Sequence, residues 1–216
     1  TGRCGQGGVG GAVMATYLLE KSRVVFQGPN ERNYHAFYML QSGAADDERR
    51  SLELEARIQD YSFCNQSGCY ANEAWGKDAA EYREMRNAMG SVGMGTPVQA
   101  EAMGVLAGVM HVGNVEFTQA SGEEYAAVSN EEKMALASRL MGCEDMAPLL
   151  LLRTMKVPGA VYNIQLTPPQ AQAARNAFGK QVYCLLFDWI VQRINDSIRG
   201  GASDAMPFIG LLDVFG

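Results

Sequence analysis

The chain has 216 residues, of which 47% are hydrophobic and 19% charged, with a net charge of −6. That composition fits a folded chain with its own core rather than a disordered one, and the acidic balance argues against nucleic acid as a partner. No apolar run approaches the roughly 18 residues of a membrane span, so no membrane span is expected.

Cys4, Cys64, Cys69, Cys143 and Cys184 are odd in number and contain no CxxC pair. This fits a reducing compartment rather than a disulfide framework. With His35 and His111 as the only histidines, no zinc site is expected.

Residues 1–11 are Gly-rich, and residues 5–10 match the pattern GxGxxG. That fingerprint needs a strand before it, and none precedes it here, so a tight turn is the better reading. Residues 12–17 read as a strand, and 18–26 as a strand or irregular extension. A short apolar helix is predicted over 33–40. A charged helix follows over 47–58, docking through Leu52, Leu54 and Ile58. Residues 60–70 read as irregular, and 77–88 as a helix with Tyr82 and Met85 inward.

Thr96-Pro97 is a helix start, with Thr96 as the cap and Pro97 in the first position. Ala102, Val105, Leu106, Val109 and Met110 then recur at the spacing of one buried helical stripe, which Gly113-Asn114 ends. Residues 122–129 read as a polar, acidic loop. Residues 130–141 read as a helix capped by Asn130 and stopped by Gly142. Residues 153–166 alternate enough to predict an exposed hairpin around Pro158-Gly159.

Thr167-Pro168 repeats the cap-plus-proline start and opens the longest helix, through about Arg199. Its apolar face is predicted to hold Phe178, Val182, Leu185, Trp189, Ile190 and Ile194. Such a rod is roughly 40–45 Å long. After Gly200-Gly201, the apolar residues Phe208, Ile209, Leu211 and Leu212 read as a strand running into Asp213-Val214-Phe215-Gly216. An Asp-x-x-Gly turn there would set a carboxylate at a strand edge and a backbone N–H within reach of a phosphate. Domains commonly end in a surface tail, so the chain is expected to be a piece of a longer protein, cut at a functional loop.

Six collinear segments carry a family resemblance. Residues 16–24 resemble the "TYLLEKSRV" segment of the myosin motor domain, and residues 31–38 resemble its "ERNYHIFY". Residues 64–69 are similar to "LNQSGC", and 111–117 to "HLGNIEF". Residues 186–195 resemble "LFxWLVxxIN", and 209–216 resemble "IGVLDIFG". The resemblance covers the whole chain and implies an α/β fold: part of a P-loop NTPase-type motor domain, largely helical, with a few strands of the central sheet. Residues 1–216 are expected to form one partial motor domain. The family's phosphate loop and switch I would lie before Thr1, and the relay helix, converter, neck and tail after Gly216. The piece by itself is expected to be inactive.

The resemblance implies an actin-based motor that couples Mg²⁺-ATP hydrolysis to movement along actin filaments. It also implies light chains or calmodulin bound through the neck, and a cytoplasmic, cytoskeletal location. Asp213 corresponds to the switch II Asp that holds Mg²⁺ through a water, and Gly216 to the glycine whose N–H meets the γ-phosphate. Those are the implied catalytic residues, because phosphoryl transfer needs a carboxylate beside hydrated Mg²⁺ and an open approach to the phosphate.

Residues 122–129 fall where one actin-facing loop of the family lies, and 153–166 where a second lies. Actin's surface is acidic, so Arg153 and Lys156 suit docking, whereas Glu123 and Glu124 do not. Many myosins carry an acidic or phosphorylatable residue on the second loop, sixteen positions before a "DALAK"-like segment. Counting back from residues 176–180 reaches Ala160, which can be neither charged nor phosphorylated. Ala160 and Tyr162 complete the implied actin-contact set. His35 and His111 read as interior histidines, and Cys64 and Cys69 as small packing groups.

Three other functions compete. An actin-binding, motor-like protein without productive turnover differs only in the flanking phosphate loop and switches. A dinucleotide enzyme built on residues 5–10 fails on context. A protein kinase fails because D-V-F-G carries an inserted residue and no HRD segment exists.

Overall fold

A computed structural model describes residues 10–16, 19–71, 77–201 and 207–212. Among the described residues the chain is mainly helical, with two separate two-stranded antiparallel sheets. The few central-sheet strands expected from the resemblance are not assembled into a larger sheet among them.

Residues 12–16 are not a strand. Their main chain is bonded instead to the end of a distant helix, the Ala12 N–H donating to the Ile198 carbonyl at 2.9 Å. Of the predicted strand or extension over 18–26, Lys21–Val24 is a 3-10 helix. Helix α1, His35–Gly43, starts later than expected, and Glu31 to Asn33 precede it as irregular chain. Its inward residues are Phe37, Tyr38, Leu40 and Gln41. His35 is exposed, contrary to the expected interior position. It stands two residues before Phe37, about 200° around the helix.

The predicted helix over 47–58 is only α2, Asp46–Ser51. Glu53 takes a left-handed φ of 48° and the chain turns back. The physical reason is tertiary. The Arg49 guanidinium donates to the carbonyls of Gln41 and Glu55, Leu52 enters the core, and Glu53 and Glu55 pair with Arg139 and Lys133. Irregular chain over 60–70 is observed, after a 3-10 helix at Ile58–Asp60.

Helix α3, Asp78–Ser91, crosses α1 tightly. A Cβ on Gly43 would lie 2.4 Å from the Tyr82 Cβ. Tyr82 is buried as predicted, and Met85 packs at the core's edge. Helix α4, Thr96–Gly113, starts with Thr96 inside it and Gly95 at the capping position, and its N-terminus carries no side-chain cap. The predicted stripe holds for Ala102, Leu106, Val109 and Met110. Met103, Ala107, His111 and Val112 are buried too, so α4 is the central helix of the core. His111 is fully buried, its Nε2 3.0 Å from the Leu52 carbonyl.

The predicted polar loop at 122–129 is the tip and return strand of a small hairpin, β1 (Phe117–Gln119) paired with β2 (Ala126–Val128). Gly122 turns it at φ 76°. Helix α5, Glu131–Leu140, follows with Asn130 at the cap position. The Asn130 side chain does not cap it. Its Oδ1 accepts from the Glu116 N–H and its Nδ2 donates to the Asn114 carbonyl.

Helix α6, Ala147–Leu151, leads into β3, Leu152–Val157, which pairs with β4, Ala160–Gln165. Helix α7, Pro168–Ile198, opens with Thr167 and Gln170 as a reciprocal capping box. Its inward ridge is Ala171, Arg175, Gly179 and Tyr183, four residues apart, with Cys184 beside it. Leu185, predicted inward, is 57% exposed, because it lies on the far side of the Gly179–Tyr183 row. Phe208, Ile209, Leu211 and Leu212 form no strand and stand in solvent, because no neighbouring strand pairs with them among the described residues.

Candidate functional site

Most of the sequence-derived contact residues converge on the β3–β4 hairpin. Gly159 turns it at φ 83°, which a two-residue turn requires and glycine supplies without strain. The register pairs Arg153 with Ile164, Met155 with Tyr162, and Val157 with Ala160. Cross-strand partners share a face, and neighbours along a strand alternate. Arg153, Met155, Val157, Ala160, Tyr162 and Ile164 therefore line one face. Lys156 lies on the other, opposite Val161 and beside Thr154 and Asn163. The two basic residues do not act from one surface.

Both faces are wet. Met155, Val157, Val161 and Tyr162 are all exposed, and Arg153 and Lys156 with them. Ala160 is half-buried against the turn. Exposed apolar residues beside a basic one are the composition of a contact surface rather than of a solvated loop.

The hairpin stands on a firm foot. Leu150 of α6 is fully buried. The Leu166 N–H donates to the Leu151 carbonyl at 2.9 Å, and the Leu166 carbonyl accepts from the Ala126 N–H at 2.7 Å. The base of the β3–β4 hairpin is thus stitched to the start of β2, beside the tip of the smaller hairpin. Below them, Arg175 of α7 donates through Nη1 to the Val115 carbonyl at 2.7 Å, and its other nitrogens reach Asn176 Oδ1. Burial lowers the Arg175 pKa, and the Glu116 charge opposes that. An open cavity of about 320 Å³ at this foot is lined by Glu116, Phe117, Pro168, Pro169, Gln172 and Arg175. Sequence reasoning missed Arg175. Its signal was its place in the i, i+4 row Ala171, Arg175, Gly179, Tyr183, where a buried cation must find acceptors.

Asn114 completes the foot. Its Oδ1 accepts from the Ser62 N–H and its Nδ2 donates to the Asp60 carbonyl, both at 2.8 Å. Residues 114–116 are therefore held by Asn130 at the start of α5, by Arg175 of α7, and by the chain before Phe63. Cys64 is buried, and burial pushes its thiol up to about 12, so it packs inertly. Cys69 is only partly buried.

Asp213 and Gly216 lie outside the described residues, as do residues 1–9 with most of the GxGxxG match. Among the described residues no group of three His, Cys, Asp or Glu side chains could hold a metal ion. No described helix is long and apolar enough to cross a membrane.

The family model for the myosin head (motor domain) matches residues 5–216. The Myosin IB heavy chain of Dictyostelium discoideum is 36% identical over 219 residues, covering 96% of this chain and 19% of that protein. The Myosin heavy chain IB of Acanthamoeba castellanii is 36% identical over 215 residues, covering 95% and 18%. Myosin-13 of Arabidopsis thaliana is 37% identical over 215 residues, covering 98% and 14%. The chain spans less than a fifth of the length of these relatives.

Proposed function

The chain belongs to the myosin motor-domain family, and from that premise we propose that it serves an actin-based motor driven by Mg²⁺-ATP hydrolysis. The observation that carries the reading is the β3–β4 hairpin: exposed on both faces, apolar and basic at once, and tied at its base to α6 and β2. A loop built that way transmits force to whatever it touches rather than yielding.

In this reading Arg153, Met155, Ala160 and Tyr162 form the actin-facing surface, with Lys156 adding long-range attraction from the opposite face. To Asp213 we assign the water-mediated hold on Mg²⁺, and to Gly216 the N–H that meets the γ-phosphate. ATP bound with Mg²⁺ would supply the free energy of the stroke. Light chains or calmodulin on a neck, and work in the cytoplasmic cytoskeleton, complete the proposal.

Actin co-sedimentation and ATP turnover of the full-length motor test it together. The expected result is filament-stimulated turnover, with filament affinity reduced at least threefold by Arg153→Ala combined with Tyr162→Ala. Filament binding without stimulated turnover would favour a motor-like actin-binding protein. An absence of filament binding would end both readings.

A further inference from the structure

The tip of the β1–β2 hairpin carries a hydroxyl and two carboxylates that the proposed function leaves unused. Among the serines and threonines of the chain, only Ser121 and Ser129 are followed by a carboxylate at the third residue, and each has another at the second. For Ser121 these are Glu123 and Glu124, and for Ser129 they are Glu131 and Glu132. Two carboxylates so placed lie roughly 7–11 Å along an extended chain from the hydroxyl. They suit a kinase whose substrate groove is basic beyond its catalytic centre, because complementary charge steers and selects the segment that enters.

The structure separates the two serines. The Ser129 N–H donates to the Glu116 carbonyl at 3.0 Å, and Glu131 and Glu132 form the first turn of α5. That helix is packed through Met134, Leu136 and Ala137, all buried. To lie extended in a groove, the segment after Ser129 would have to unwind the start of α5.

Ser121 meets no such obstacle. Ser121, Gly122, Glu123 and Glu124 are all exposed, and they lie beyond the last rung of the hairpin, Gln119 opposite Ala126. A Cβ built on Gly122 would have nothing within 4 Å, so an enzyme has room to close over the tip. The turn is held by the Ala120 N–H on the Tyr125 carbonyl at 2.8 Å and the Glu123 N–H on the Ala120 carbonyl at 3.1 Å. Gln119 Nε2 adds a bond to the Glu123 carbonyl at 2.7 Å. Bonds at a wet tip open far more readily than a packed helix, and such tips are where enzymes that need an extended segment gain access.

A phosphoserine carries a charge of about −1.5 to −2 at pH 7. At residue 121 it would join Glu123 and Glu124 on a turn that leads directly into β2. The first residue of β2, Ala126, donates its N–H to the Leu166 carbonyl at the base of the β3–β4 hairpin. The added charge would therefore sit a few residues from the support of the proposed docking surface.

We propose that Ser121 is a phosphorylation site for a serine/threonine kinase with a basic substrate groove, and that its phosphate weakens docking of the motor on an acidic filament. The second half of this statement rests on the actin-motor reading above. In the transfer, Ser121 Oγ attacks the γ-phosphorus of the Mg²⁺-ATP held by the kinase. The Oγ–P bond forms and the bond from that phosphorus to the β–γ bridging oxygen breaks. ADP leaves, and the hydroxyl proton passes to a carboxylate base of the kinase.

The test uses the full-length motor, a purified kinase of the casein-kinase class that selects serines followed by carboxylates, and ATP labelled in its γ-phosphate. Mass spectrometry is expected to find phosphate on Ser121 and none on Ser129. Glu124→Gln should slow modification of Ser121 at least tenfold. No phosphate on Ser121, an unchanged rate in Glu124→Gln, or Ser129 modified as fast as Ser121 overturns the site. Filament co-sedimentation reads the consequence. The phosphorylated motor is expected to bind at least threefold more weakly than the unmodified one at low salt, and the gap should close as salt rises. Kinase-treated Ser121→Ala should keep its untreated affinity. Equal affinity of the phosphorylated and unmodified motors, or the same loss in Ser121→Ala, overturns the effect on docking and leaves the site standing. A wild-type motor that binds no filament would overturn the actin-motor reading and the docking effect with it, while the phosphate map would still judge Ser121.

Discussion

Gly113, at the end of α4, and Gly179, in the middle of α7, close on the ring of Phe63. A Cβ on Gly113 would lie 2.8 Å from Phe63 Cγ, and one on Gly179 would lie 2.8 Å from Phe63 Cε2. The two helices meet across this aromatic plate, with the Arg175 guanidinium 5.6 Å from the ring centroid. Neither glycine is needed for a turn. Each is needed because the ring leaves no room for a methyl group.

Gly179→Ala should therefore destabilise the motor domain by about 1–3 kcal/mol through overpacking, and Phe63→Ala by about 3–5 kcal/mol through the cavity it leaves. Phe63→Leu placed in the Gly179→Ala background should recover part of the loss. Urea unfolding midpoints measure all three. Additive losses in the double variant would show that Gly179 and Phe63 do not compete for the same space.

Arg153 and Lys156 leave β3 on opposite faces. Arg153 shares its face with exposed Met155 and Tyr162, the better-formed contact surface. Arg153→Ala should weaken actin affinity of the full-length motor by about three- to tenfold, near 1 kcal/mol. Lys156→Ala should mainly slow association and lose its effect as salt rises. Equal effects on affinity at moderate salt would mean that the filament touches both faces.

Ala160 sits at the turn, paired with Val157, and offers neither charge nor hydroxyl. Ala160→Glu should change filament-stimulated ATP turnover at low salt, and the change should shrink near 0.1 M, where the screening length is about 10 Å. Phosphorylation of the unmodified hairpin turn should not occur at this position. Identical turnover in both proteins at low salt would place the regulatory position elsewhere.

His111 is buried, and burial lowers its pKa from 6.5, against a smaller raising effect from the Leu52 carbonyl. Its folded pKa is thus below its unfolded one. The stability this neutral histidine contributes is full above about pH 6.5 and is lost as the pH falls, because the unfolded chain takes up the proton first. His111→Gln should flatten the fall in stability between pH 7 and pH 5 relative to wild type. Melting temperatures at the two pH values measure it, and parallel curves would remove His111 from the acid response.

Asp213→Ala in the full-length motor should abolish ATP turnover with the fold intact, because the carboxylate would stand where charge develops beside Mg²⁺. Gly216→Ala should slow hydrolysis more than it weakens nucleotide binding, because the N–H contact is expected to tighten in the transition state. Single-turnover kinetics separate the steps. Turnover of Asp213→Ala within threefold of wild type would sink the first assignment. Equal loss of ADP and ATP affinity with unchanged hydrolysis would reduce Gly216 to a turn residue.

Local chemistry made parts of this fold legible before any coordinates. Thr167-Pro168 fixed the start of α7, and Pro158-Gly159 fixed the hairpin turn, because proline's φ and glycine's freedom act on their own residues. The buried stripe of α4 was visible because its spacing repeats over several turns. The helix expected over 47–58 failed at Leu52, where the pull of the core and the Arg49 bonds to Gln41 and Glu55 outweighed six residues of helix propensity. The β1–β2 hairpin was missed because three-residue strands carry too little alternation to read.

By itself, then, the sequence determined the family, the long helix and the exposed hairpin, since each rests on residues adjacent in the chain. Tertiary structure alone decided which hairpin residues share a face, that Arg175 and Asn130 hold residues 114–116, and that the Asn195 side chain bonds the Met14 main chain. Those relations join residues up to 181 positions apart, and a chain written in one dimension does not record which main-chain groups a side chain will find once helices have packed.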